Sequence, residues 1–165
     1  PLPRSASAAP AQPHFAVAVR PAALPDLLER PQIVVRKGES TVSISDYQRW
    51  AGALRKDFSR VLVENLNLLL QDVDGAAATD DIALEPDFLV TVHVNRFDGR
   101  PEGEVVLSAL WSIKRPKENA ETAVRKSRIE EMCQAPGYEG LVAAHSRAVA
   151  ALSREIASEI RSMKK

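Results

Sequence analysis

Phe88-Leu89-Val90-Thr91-Val92-His93-Val94-Asn95 is the stretch that decides the fold. Phe88, Val90, Val92 and Val94 fall on one side of it, and Leu89, Thr91, His93 and Asn95 on the other. That is the period-two pattern of a strand with one buried face. Asp98-Gly99-Arg100-Pro101-Glu102-Gly103 then turns the chain, and Val105, Leu107, Ala109, Trp111 and Ile113 return with the same alternation. Thr122 to Glu131 is compatible with a helix in isolation, but Pro116 precedes it and Pro136-Gly137 ends it. We read it as the third strand of a meander.

Working outward, Phe15, Val17 and Val19 alternate within His14 to Arg20 and predict a first strand. Ile33 and Val35 match Val42 and Ile44 across Lys37-Gly38-Glu39-Ser40, which predicts a hairpin. Ser45 with Gln48 three residues on has capping-box spacing and predicts a helix start. The helix that follows carries Trp50, Leu54, Phe58, Val61, Leu62, Leu66 and Leu69 at intervals of three and four, one stripe facing a core. Gln71 to Asp81 reads as a polar, alanine-rich loop. A last helix runs from about Tyr138 to Met163, with Leu141, His145, Ala148, Leu152, Ile156, Ile160 and Met163 on one face. At 1.5 Å per residue it is ~39 Å long, enough to cross a sheet. The expected class is α+β: a mostly antiparallel sheet with two long helices packed on one face.

Residues 1–13 differ in character, with four prolines, four alanines and no aromatic. Such a segment buries too little apolar surface to offset its ordering entropy, so it is expected to be a disordered tether. Residues 14–165 are then one α+β domain, large enough to bury a core. The chain opens on Pro1, so we expect a mature form or fragment from which a targeting segment has been removed.

Composition narrows the function. Twenty-two basic side chains balance 22 acidic ones, and the basic clusters alternate with acids, so the basic field of a nucleic-acid reader is missing. No apolar run approaches the ~20 residues that a membrane helix needs. The single cysteine, Cys133, rules out an internal disulfide and leaves the redox compartment open.

No catalytic constellation, phosphate loop or dinucleotide fingerprint is present, and no enzyme activity is expected. His14, His93 and His145 share no ligand spacing. His145, on the apolar stripe of the last helix, reads as a core or interface histidine with a satisfied ring nitrogen. Asp72-Val73-Asp74-Gly75 begins like a calcium loop but places Ala77 and Ala83 where that loop needs glycine and a bidentate acid, so no metal is expected. No cofactor is expected either. Cys133 reads as packing. Tyr47, Trp50 and Trp111 are the candidate partner-binding residues, because Trp and Tyr dominate interface energetics, with burial in the core as the competing reading of both tryptophans.

Three pieces carry a family resemblance. They are Leu28-x-Arg30-Pro31-Gln32-Ile33-Val34; Trp50 with Leu54 and Phe58-x-x-Val61-Leu62-x-x-Asn65-Leu66; and Tyr138-x-x-Leu141-Val142 through Ala151-Leu152-Ser153-Arg154-Glu155-Ile156-Ala157. In this order they resemble the PqiC/YmbA-type auxiliary lipoproteins of bacterial ABC-type transport systems, over about His14 to Met163. The resemblance implies a periplasmic protein held to the outer membrane by an N-terminal lipid on a cysteine that this chain lacks. It also implies work beside an MCE-domain protein and an ABC transporter that move lipid between membranes, by docking rather than chemistry. A ring-shaped partner would favour a matching cyclic homo-oligomer. The alternatives are a periplasmic lipid carrier, which needs an internal apolar cavity, and an envelope scaffold with no transport role.

Overall fold

A computed structural model describes residues 15–24, 32–36, 42–49, 54–79, 85–100, 102–118 and 123–164. Seven strands and two helices lie within them: β1 Phe15–Val19, β2 Gln32–Arg36, β3 Val42–Arg49, α1 Leu54–Leu69, β4 Gly75–Thr79, β5 Phe88–Gly99, β6 Glu104–Lys114, β7 Ala123–Met132 and α2 Gly137–Lys164. The expected tether, residues 1–13, lies outside the described residues.

β5 is the spine of the sheet. Along one edge it pairs antiparallel with β6 from Leu89↔Lys114 to Gly99↔Val105, with a bulge between Val94 and Arg96. The connecting turn is Arg100–Gly103: the Gly103 N–H donates to the Arg100 carbonyl at 3.0 Å, and Glu102 takes a left-handed φ of 64°. β7 continues the meander antiparallel to β6, from Ile113↔Ala123 to Glu104↔Met132. The third strand expected over Thr122 to Glu131 is therefore present, and these two long ladders make the sheet mostly antiparallel.

Two shorter strands share the other edge of β5 in tandem. β1 runs parallel to its first half, Val17↔Phe88 to Val19↔Val90, and β2 meets its end at Val35↔Gly99. Outside them sit β4, parallel to β1, and β3, antiparallel to β2. The hairpin of Ile33 and Val35 with Val42 and Ile44 is thus found, its turn residues 37–40 lying outside the described residues.

Two elements depart from expectation. Ser45 to Gln48 does not start a helix: β3 runs through it to Arg49, paired with Gln32. A local capping signal is worth about 1 kcal/mol, less than the ladder that residues 42–49 join. The loop expected over Gln71 to Asp81 contains a short 3-10 turn, Gln71–Val73, and then β4. Gly-Ala-Ala-Ala-Thr has little strand preference of its own, but it joins the parallel ladder with β1, and Asn67 of α1 pairs the Ala77 backbone. Its side-chain Nδ2 donates to the Ala77 carbonyl at 3.0 Å and its Oδ1 accepts from the Ala77 N–H at 2.8 Å. Gly75 is needed for the approach, since a Cβ there would lie 2.5 Å from the Phe15 ring.

Both helices cover the same face of the sheet, α1 over β4 and α2 over β5, β6 and β7, side by side. The α1 stripe buries Phe58, Leu62 and Leu66, continued by Leu70; that of α2 buries Leu141, His145, Ala148, Leu152, Ile156 and Ile160. Against them lie Val17, Val19, Val90, Leu107 and Ile113, all fully buried. Asn65 Nδ2 donates to Ser153 Oγ at 3.1 Å, and the Arg161 guanidinium binds the Leu69 carbonyl and the Asp72 carboxylate. The first of these polar ties joins the helices beside Leu66 and Leu152, and the second at the end of α1.

Candidate functional site

The inward-facing positions of β7 are Arg125, Ser127, Ile129 and Glu131, and only Ile129 fills space as a core residue does. Ser127 is small and buried, and the space beside it between α2 and β7 is left open. An open cleft of about 540 Å³ results, lined by Trp111, Arg125, Ser127, Arg154, Glu155 and Glu159 among others. Trp111 forms its floor. The indole Nε1–H donates to Ser127 Oγ at 2.9 Å, and the Ser127 hydroxyl donates to Glu155 Oε1 at 2.5 Å. Arg125 closes one side on Glu159 at 2.8 Å.

This chain of bonds satisfies each buried polar group and fixes α2 on the sheet edge. Arg154 is exposed at the rim, with no ionic partner among the described residues. The cleft therefore presents an internally paired arginine and an exposed one around a polar floor open to a side chain from outside.

The other candidates resolve individually. His145 is buried, its Nδ1 is 2.8 Å from the Leu141 carbonyl, and its ring is 4.6 Å from that of Phe97. Burial pushes its pKa down to about 4 against the opposing pulls of that carbonyl and of Asp98. It is a neutral core histidine donating from Nδ1, as its sequence position predicts. His93 is exposed. The Asp72 carboxylate is occupied by Arg161 at 2.6 Å, whose hydrogen bond holds it below the ordinary carboxylate range. Among the described residues no group of three or more His, Cys, Asp or Glu is arranged to hold a metal. Cys133, half-buried after β7, has its Sγ 3.4 Å from the Arg100 carbonyl.

Of the three candidate anchors, Trp111 is corrected. It is 3% exposed with its N–H bonded internally, so its ring belongs to the core and cannot serve as a surface anchor. Tyr47 lies in β3 rather than at a helix start, and Trp50 falls outside the described residues. Of the residues that shape the cleft, Arg154 and Glu155 entered the sequence reading only within the third resemblance piece, and none of Arg125, Ser127, Arg154 and Glu155 was proposed as a site residue. Their signal was the parity of β7, where a lone serine sits inward between Arg125 and Ile129.

Comparison with known proteins agrees with this architecture. Residues 1–157 match the family model described as "ABC-type transport auxiliary lipoprotein component". The chain belongs to this auxiliary lipoprotein family. It is thus an envelope-associated, accessory type of component of an ABC-type transport system. Among solved structures, an uncharacterised protein is 27% identical with a TM-score of 0.80, over 88% of this chain and 92% of its own. Protein XCC0632 from Xanthomonas campestris, of family DUF330, is 15% identical with a TM-score of 0.71, over 88% and 83%. The PelC dodecamer from Paraburkholderia phytofirmans is 12% identical with a TM-score of 0.50, over 91% and 93%. The last two share the fold. No curated protein matches. No helix among the described residues is long and apolar enough to cross a membrane.

Proposed function

We infer that this auxiliary lipoprotein is a non-enzymatic docking component that binds the MCE-domain partner of an ABC-type lipid transport system, from the periplasmic side of the outer membrane. The observation that carries this reading is the closed interior of a transport accessory. A lipid carrier needs a void between sheet and helices, and that space is filled by Phe58, Leu62, Leu66, Leu107, Leu152 and Ile156, all essentially inaccessible to solvent. Tyr47, in β3, and Trp50, three positions on in the sequence, are the aromatics assigned to the contact. Residues 1–13, with four prolines and four alanines, are assigned as the spacer between lipid anchor and domain, which confines the domain near its partner and raises the effective concentration. A symmetric ring-shaped partner would be met by a cyclic assembly of this chain, and the dodecamer formed by the structurally similar PelC makes such an assembly compatible with the fold.

Affinity capture of the full-length protein from solubilised envelope membranes should recover an MCE-domain protein, and Tyr47→Ala with Trp50→Ala should reduce the yield. Mass spectrometry of organic extracts should find no stoichiometric lipid. Recovery of the permease machinery without any MCE protein would remove the assigned partner, and stoichiometric phospholipid would establish the carrier reading instead.

A further inference from the structure

β7 is an outer strand: among the described residues it pairs with β6 alone. Beyond the last ladder pair, Glu104↔Met132, the Cys133 N–H still donates to the Gly103 carbonyl at 2.8 Å. That bond fixes the direction of each peptide group in the strand. Odd-numbered residues point their backbone groups at β6, and even-numbered ones point theirs away. Two arginines obey the same parity from outside. Arg125 donates to the Val124 carbonyl at 3.0 Å, and Arg147 donates to the Met132 carbonyl at 2.6 Å. Between these capped ends, the outward peptide groups of Lys126, Arg128 and Glu130 face no strand among the described residues.

The side chains of this strand form a self-complementary series. Turn a second β7 antiparallel about a twofold axis through Arg128. Lys126 then lies opposite Glu130, Arg125 opposite Glu131 and Val124 opposite Met132, each contact occurring twice. Val124 and Met132 are 53% and 59% exposed, and this register covers them with each other. The one like pair, Arg128 against Arg128, is offset by Glu130, whose Oε1 is 3.1 Å from Arg128 Nε within its own strand. Moving the register so that Lys126 faces Arg128 destroys the series. Charges on an edge strand usually guard it against pairing, but a guard does not match its own reversed copy at four charged contacts.

We propose that β7 is a homotypic interface, pairing antiparallel with β7 of a second copy so that the two sheets become continuous. Lys126, Arg128 and Glu130 supply the ladder, and Glu131 of the second copy enters the Trp111–Ser127 cleft from its open side, between Arg125 and Arg154. The two α2 helices then lie on the same face of the joined sheet. This pairing stands apart from the transport reading, and its failure would leave that reading untouched.

Sedimentation analysis of the intact chain should show a concentration-dependent dimer, and charge reversal tests its register. Lys126→Glu or Glu130→Lys puts like charges at two symmetry-related contacts and should weaken association roughly tenfold. The double variant restores both contacts and should restore association. Hydrogen exchange supplies a separate readout: amides of Lys126, Arg128 and Glu130 should gain protection on dimerisation, while those of Arg125, Ser127 and Ile129 are protected in monomer and dimer alike. A chain that stays monomeric, single variants that associate like the wild type, or a double variant as weak as its parents would each overturn the interface. So would even-numbered amides whose protection ignores concentration.

Discussion

Ser127 shows what one small side chain does at the edge of a core. It is inward-facing, yet too short to reach α2 by packing, so it reaches by hydrogen bonds: one accepted from Trp111 and one donated to Glu155. Ser127→Ala removes both and leaves a buried indole N–H without its partner. The expected loss is ~1–3 kcal/mol of unfolding free energy by chemical denaturation. A loss below ~0.5 kcal/mol would mean that water from the open cleft replaces the hydroxyl. His145 makes a pH-dependent contribution of known sign. Its pKa is about 4 in the folded protein, against an ordinary value of 6.5. Between those values the unfolded chain binds the extra proton, so stability rises with pH and is lost as pH falls through that window. The shift corresponds to about 3 kcal/mol. His145→Leu should therefore flatten the pH dependence of unfolding between about pH 6.5 and 4, relative to the wild type. Identical slopes in the two proteins would assign the acid sensitivity to carboxylates instead.

Among the elements, legibility followed the source of the stabilisation. β5 and β6 were readable because each buries one face and must alternate, and the α1 and α2 stripes because each packs one side on the sheet. β4 was not readable: its strand character comes from pairing with the distant β1, from Asn67 on the preceding helix, and from the room that Gly75 leaves for Phe15. No property of Gly-Ala-Ala-Ala-Thr alone encodes these partners. β3 failed for the opposite reason. Ser45 and Gln48 carry a genuine local helix signal, which pairing with β2 overrides. Because Asn67 holds β4 in place, Asn67→Ala should cost ~1–2 kcal/mol by leaving the Ala77 N–H and carbonyl unpaired. Hydrogen exchange should increase at Ala77 while β5 and β6 keep their protection. Unchanged exchange at Ala77 would show that β1 alone holds β4.

At the scale of the whole molecule, the described sheet and helices share one core. The most deeply buried side chains come from β1, β5, β6, α1 and α2, and the two helix stripes account for the inward face of the sheet that they cover. The cleft was hidden from sequence because it depends on where α2 lies relative to the sheet edge, a tertiary offset that neither the helix stripe nor the strand parity specifies alone. The proline- and alanine-rich start is a proposal of a different kind, resting on composition alone, which argues against packing wherever the rest of the chain goes. If it acts only as a spacer, its removal costs the folded state no contacts. A chain beginning at His14 should melt within ~2 °C of the full sequence, whereas a fall of ~4 °C or more would correspond to at least about 1 kcal/mol of lost contacts in a chain of this size. If the protein is anchored by a lipid as proposed, the same deletion should instead reduce capture of the transport partner, because reach is lost while fold and anchor survive. Undiminished capture from a spacer-deleted, still lipidated protein would remove the tether from the mechanism.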